Sequence, residues 1–204
     1  MKLPETEHFS RQWRIHELTP DFHVEDVWAL PTPGGPDDFH LLVERIGTAD
    51  PERDSSRVAG LIWAIRWKLG ALLGWDDPDT GLGTRVASLR DRLPADLREA
   101  PTGPAPDAVP FSPLYLLDDE WAAEIANRTV HGVLHLGWVE DETGGYRGQM
   151  AVLVKPNGLM GRAYLAAIKP FRHAIIYPAM LRRIERDWNT RPSASRAPFP
   201  RVEA

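Results

Sequence analysis

The sequence predicts an α+β fold in which an antiparallel sheet is followed by a long C-terminal helix. Three observations carry this. The run from His23 to Leu30 is rich in β-branched and aromatic residues and stops at Pro31. Two further runs, Thr129 to Glu140 and Tyr146 to Lys155, flank the turn sequence Asp141-Glu142-Thr143-Gly144-Gly145. A largely apolar segment then extends from Leu159 to Trp188.

The elements follow in order. Residues 1–22 mix polar and aromatic side chains and end on the turn signal Thr19-Pro20-Asp21. After the first strand, Pro31 to Pro36 is a loop by composition. Asp37 or Asp38 can cap a short helix to about Ile46, with Phe39, Leu42, Val43 and Ile46 at helical spacing. Ser55 or Ser56 can cap a second, in which Val58, Leu61, Ile62, Ile65, Leu69 and Leu72 recur at three- and four-residue steps before Gly74. Trp63 and Trp67 share one stripe of it, as core or rim packing; with Trp75 they leave a self-association surface open.

Residues 75–112 are irregular. A short helix is expected around Arg85 to Arg90, broken at Pro94. Pro101, Pro104, Pro106, Pro110 and Pro113 make 99–112 a surface loop. Leu114 to Leu117 is read as a strand; Glu120 to Asn127 fits a helix or a strand and is read as a strand because its neighbours on both sides are extended, which brings the count to about five. The terminal helix is expected to be buried on much of its circumference, and Pro170 and Pro178 should kink or split it. Arg162, Lys169, Arg172 and His173 interrupt any span of the ~20 apolar residues that a membrane requires. One domain is therefore expected over residues 1–188, with 75–112 as a proline-rich insertion and 189–204 as a disordered tail.

Composition narrows the chemistry. The 204 residues carry 24 basic and 29 acidic side chains, a net charge of −5 that argues against a general nucleic-acid binder. With no cysteine there is no disulfide framework, thiolate zinc site, iron–sulfur cluster or cysteine nucleophile. That absence fits a reducing cytosol. The polar start Met1 to Glu7 gives no sign of a signal peptide, so a cytoplasmic protein is expected. The phosphate loop of nucleotide hydrolases, the complete dinucleotide-binding glycine pattern, the serine-hydrolase elbow and the His-Glu-x-x-His zinc helix are all missing.

His131 and His135 resemble a metal pair only on a helix. On a strand they share a face but stand about 13 Å apart at ~3.3 Å per residue, too far for one ion. Strand parity places Val130, Leu134, Leu136 and Trp138 on one face, and His131, Val133 and His135 on the other with Arg147 and Gln149 of the partner strand. Two readings stand. Either the polar face is simply solvated, or His131, His135, Arg147 and Gln149 line a ligand cavity under a covering helix, where they could orient an anion or polarise a carbonyl. A second cluster, Tyr164, Lys169, Arg172, His173 and Tyr177, lies in the C-terminal helix; its long basic chains either snorkel outward or face the same cavity. Glu120 and Glu124 read as solvated or strand-end charges.

The run Glu124-x-x-Asn127-x-Thr129-Val130-His131-x-Val133-x-His135-Leu136-Gly137-Trp138 is followed by Tyr146 to Val152, by Lys155-Pro156-Asn157-Gly158, and by Pro170-Phe171-Arg172-His173 with Tyr177-Pro178. Together with Asp21-Phe22 and Glu25-Asp26-Val27-Trp28, these residues resemble a bacterial family called domain of unknown function 2867. The resemblance implies a START-like, Bet v 1-like helix-grip fold: a curved antiparallel sheet wrapped around the long C-terminal helix, usually about seven strands enclosing an apolar ligand. Relatives of that fold include cyclases, dehydratases and hydroxylase components.

Three functions follow as expectations. The first is a binding module holding a small, largely apolar molecule between sheet and helix. Trp138, Tyr164 and Phe171 would anchor it, and His131, His135, Arg147, Gln149, Arg172, His173 and Tyr177 would make polar contacts. The second is a cyclase- or dehydratase-type enzyme in which His135 or His173 is the general base and Arg147 or Tyr177 steadies an oxyanion. The third is an interaction protein whose eight tryptophans fill its own core. The expected partner is a small hydrophobic molecule, with neither nucleic acid nor membrane; no metal or cofactor is expected.

Overall fold

A computed structural model describes residues 1–47, 82, 86–106, 110–127 and 129–190. The helix expected over Ser55 to Gly74, Trp75, and the tail beyond Thr190 lie outside the described residues. β1 (Lys2–Leu3) leads into two single-turn helices, α1 (Thr6–Phe9) and α2 (Ile15–Leu18), then β2 (His23–Ala29) and α3 (Phe39–Gly47). A 3₁₀ turn (Leu89–Arg92) and α4 (Ala95–Glu99) precede the meander β3 (Ser112–Leu116), β4 (Glu120–Ala126), β5 (Val130–Glu140) and β6 (Tyr146–Pro156). The chain ends in α5 (Gly158–Phe171), a π-helical turn (Arg172–Ile176) and α6 (Tyr177–Asn189), a continuous helix of 32 residues.

The six strands form one curved, open antiparallel sheet in the order β1-β2-β6-β5-β4-β3. Six strands replace the five expected because Lys2 and Leu3 pair with Trp28 and Val27 along the β2 edge. The long β5–β6 ladder runs from Val130↔Pro156 to Glu140↔Tyr146 without a break, as two alternating sequences joined by a Gly-Gly turn should.

Both faces of the sheet are covered, so the expectation of one solvated face is corrected. On one face Trp13, Ile15 and Leu18 from the N-terminal segment and Leu89, Leu93 and Leu97 pack on Tyr115, Ala122, Val133, Ala151 and Leu153. On the other, α3 and the C-terminal helix bring Phe39, Leu42, Val43, Tyr177 and Trp188 onto Trp28, Trp121, Leu136, Trp138 and Met150. We call these the N-terminal face and the helix face.

Two glycines make the close approaches possible. A Cβ on Gly137 would lie 2.6 Å from the ring of Trp13, so the indole rests directly on β5. A Cβ on Gly161 would run into the carbonyl oxygen of Thr129, so α5 meets the start of β5 only because no side chain intervenes.

Four local expectations change. Pro94 does not end a helix but stands at the N-cap of α4, where its missing N–H costs nothing, and the turn before it lies at Leu89–Arg92 rather than Arg85 to Arg90. The proline-rich stretch is not a free surface loop throughout: Pro101 accepts a hydrogen bond from the Leu116 N–H, and Thr102 accepts one from the Trp121 indole. The terminal helix buries one stripe, not most of its circumference; Gly161, Leu165, Tyr177 and Trp188 are buried while Leu159 and Met160 are exposed. The helix runs on through both prolines, where a kink or split is expected. Between Pro170 and Pro178 the chain relaxes into a π turn, which absorbs the missing N–H groups without a break.

Candidate functional site

β2 carries an acidic pair, Glu25-Asp26, at a bulge where the register shifts between Val24 and Asp26. The bulge lets neighbouring residues both reach the helix face. The π turn delivers Arg172 and His173 opposite them, and α6 begins with Tyr177 one turn further on. The Asp26 side chain is fully buried, and it accepts hydrogen bonds from His173 Nε2 at 2.7 Å and Tyr177 Oη at 2.9 Å. Lys2 Nζ and an Arg172 nitrogen each lie 3.3 Å from it. Glu25 holds Arg172 at 2.9 Å and Lys169 at 3.3 Å.

A carboxylate in this position is affordable because cations and donors surround it. The His173 ring edge stays partly open, with 27% of its side chain exposed. Trp28 packs on His173 and on Tyr177, at ring-centroid distances of 6.1 and 4.8 Å. Burial pushes the Tyr177 hydroxyl well above the usual phenol range, so it is a neutral donor at neutral pH. The Trp28 Nε1 and Arg172 Nε atoms are buried with no hydrogen-bond partner among the described residues. The arrangement can therefore fix an imidazole in one orientation, and it offers unused donors beside it.

The N-terminal face holds two other histidine–carboxylate pairs. His131 Nε2 lies 2.7 Å from Glu124, which also accepts the Leu89 N–H at 3.0 Å and the Ser88 hydroxyl. His135 Nε2 lies 3.1 Å from Glu120, which also accepts Tyr115 Oη at 2.5 Å and the N–H groups of Arg14 and Ile15 at 2.8 and 2.9 Å. Burial pushes both glutamates up, but these donors outweigh it and hold both below the usual carboxylate value. The reading of Glu120 and Glu124 as solvated charges is corrected: β4 pairing puts both on the covered face, each diagonal to a histidine of β5.

The expected site residues thus divide. Arg172, His173 and Tyr177 come together on the helix face. His131, His135 and Gln149 lie on the opposite face, buried, with the sheet between them and the helix, so a single cavity does not unite the two groups. Arg147 sits half-buried at the start of β6 on that N-terminal side, its pKa lowered by burial and by Arg11. Trp138 is on the helix face but is occupied, its indole donating to Gly35 at 2.9 Å and packing 6.0 Å from Trp188. Tyr164 packs against Val130, Val154 and Leu165, its hydroxyl pushed up to about 12 by burial. Phe171 is half-buried at the end of α5.

Asp26 escaped the sequence reading as a site residue. Beyond its place in the family-like run Glu25-Asp26-Val27-Trp28, its signal was an aspartate within a largely apolar strand, a position that calls for partners. Among the described residues no group of three or more His, Asp or Glu side chains is placed to hold a metal ion, and no helix is long and apolar enough to cross a membrane.

An α+β protein with a buried carboxylate clasping a histidine of its terminal helix is the class that fold and site define. The chain matches the family described as "Protein of unknown function (DUF2867)" over residues 18–179, and it belongs to that family. The match takes in Asp26, Arg172, His173 and Tyr177 and begins after α1 and most of α2. No curated protein and no solved structure matches the chain.

Proposed function

We propose that the protein binds a small, largely apolar molecule between the sheet and its C-terminal helix, with the Asp26–His173–Tyr177–Arg172 cluster as the polar anchor. The observation that carries this is a fully buried carboxylate holding a partly exposed imidazole in one orientation. Half-buried apolar side chains line both sides of the same seam: Val152 on β6, with Tyr164, Ile168, Met180 and Leu181 on the helix. They offer an apolar wall next to the polar group, the composition of most small-molecule sites. On this reading the sheet and long helix make a helix grip of the START-like kind, with the ligand at the π turn, and the protein is cytoplasmic.

Native mass spectrometry of the full chain purified from its own host tests it. The expected result is a reproducible small-molecule adduct, released on denaturation and lost in His173→Ala with the circular dichroism unchanged. Wild-type protein at the bare chain mass, or equal occupancy in the variant, overturns the reading.

A second reading is favoured by one feature of the same site. Asp26 engages only Nε2 of His173, the geometry by which a carboxylate orients an imidazole for general acid–base chemistry, and π turns recur at such sites. The protein would then be a cofactor-independent enzyme of the cyclase or dehydratase type with His173 as base and Tyr177 or Arg172 at the developing oxyanion. Turnover of the released molecule, lost in His173→Gln, separates enzyme from carrier.

A further inference from the structure

The N-terminal face holds a histidine cluster that the proposed site does not use. His8 of α1 is completely buried, with its ring centroid 4.9 Å from those of His16 and His135 and 6.5 Å from that of Trp13. Trp13 in turn lies 5.2 Å from His135. Both ring nitrogens of His8, Nε2 of His16, Nδ1 of His135 and Nε1 of Trp13 are buried with no hydrogen-bond partner among the described residues. Nε2 of Gln149, paired in register with the Gly137 that supports Trp13, is a sixth such atom. Unsatisfied polar atoms are rare in folded proteins because each costs free energy, so this concentration marks a contact held against a cost.

We propose that the segment bearing α1 and α2, Thr6 to Leu18, is an acid-released latch: neutral His8 and His16 seat it on the sheet, and protonating them frees it. The geometry leaves no acceptor for an imidazolium at His8 among the described residues. His8 faces His16 from α2 and His135 from β5, and among the described residues no carboxylate is at hydrogen-bonding distance of its ring nitrogens. Glu120 of β4, the acidic group nearest the cluster, is saturated by Arg14, Ile15, Tyr115 and His135. The Glu120 charge favours a protonated His16, but burial and His135 outweigh it, and Asp119 beside Glu120 acts on His135.

The sign follows. Burial, then His135 and His16, depress the His8 pKa to about 2, and burial likewise lowers that of His16. A released histidine titrates near 6.5. The open form therefore binds more protons than the closed one below about pH 6.5. The latch is shut above that value and loosens as the pH falls. A released segment would also reshape the cleft of about 410 Å³ along it, lined by Arg11, Gln12, Trp13, Arg14, Asp119 and Glu120 among others. The latch does not depend on the helix-face reading, and His8 and His16 lie outside the family match.

Hydrogen exchange by mass spectrometry on the full chain, at pH 7.5, 6.5 and 5.5 and corrected for intrinsic rates, is the test. Peptides covering 6–18 should open about tenfold more per pH unit below 6.5 for each histidine that titrates, while β5 and β6 stay protected. His8→Phe keeps the ring and removes the titrating nitrogens, and should cut that response by the same tenfold; His16→Phe is the second variant. An unchanged acid response in both variants, or sheet peptides that open in step with the segment, would overturn the proposal.

Discussion

Replacing Glu120 with glutamine changes one atom and should destabilise the protein by about 4–6 kcal/mol. The carboxylate accepts four hydrogen bonds: Arg14 N–H on one oxygen, and Ile15 N–H, Tyr115 Oη and His135 Nε2 on the other. A glutamine retains a single acceptor. If its oxygen keeps the triple site, its NH₂ confronts the Arg14 N–H, and that unpaired donor costs about 1–3 kcal/mol. The three surviving bonds lose their charge assistance, about 1 kcal/mol each. Flipping the amide is worse, since three partners then face a donor. Urea unfolding with linear extrapolation measures the difference, with the slope m expected to stay constant. The wild-type Glu120 pKa is held below its unfolded value, so its contribution is complete above about pH 4.5 and fades as the pH falls through the folded value. The gap between wild type and variant should close in acid. A change under about 1 kcal/mol at pH 7 would refute the argument, because it would mean that the carboxylate is not carrying those four donors.

Other expectations can be checked alongside. Tyr177→Phe removes one of the two hydrogen bonds that Asp26 accepts among the described residues and should cost about 1.5–3 kcal/mol, read from the same urea curves. Gly161→Ala should lower Tm although alanine favours helix by about 1 kcal/mol, because the added methyl meets the Thr129 backbone. Gly137→Ala should cost roughly 1–3 kcal/mol by driving Trp13 off β5, with a change in tryptophan fluorescence as the readout. Glu124→Gln should weaken the hold on the Leu89 turn, seen as faster amide exchange at Leu89 and no change in β2.

Much of this molecule was written locally. The alternation of β5 and β6, the Gly-Gly turn between them, and the two prolines that frame the π turn are short-range signals, and each element formed where its residues place it. Parity also sorted His131, His135 and Gln149 together on one face and Trp138 on the other. What parity cannot say is what lies above each face. That was settled by chain segments distant in sequence: Trp13 and His8 over His135, Leu89 over Glu124, and the π turn over Asp26. Glutamates on a strand read as solvated until another segment closes over them, and a burial that depends on residues more than a hundred positions away leaves no periodicity to detect. The sequence alone therefore determined the elements and the pairing of polar residues by face. Only tertiary structure decided that both faces are covered, that His131, His135 and His173 each meet a different carboxylate, and that Asp26, beside Glu25, joins sheet to helix. The physical reason is that secondary structure follows from local periodicity, whereas desolvation, which gives a buried charge its need for partners, depends on whatever packs against it.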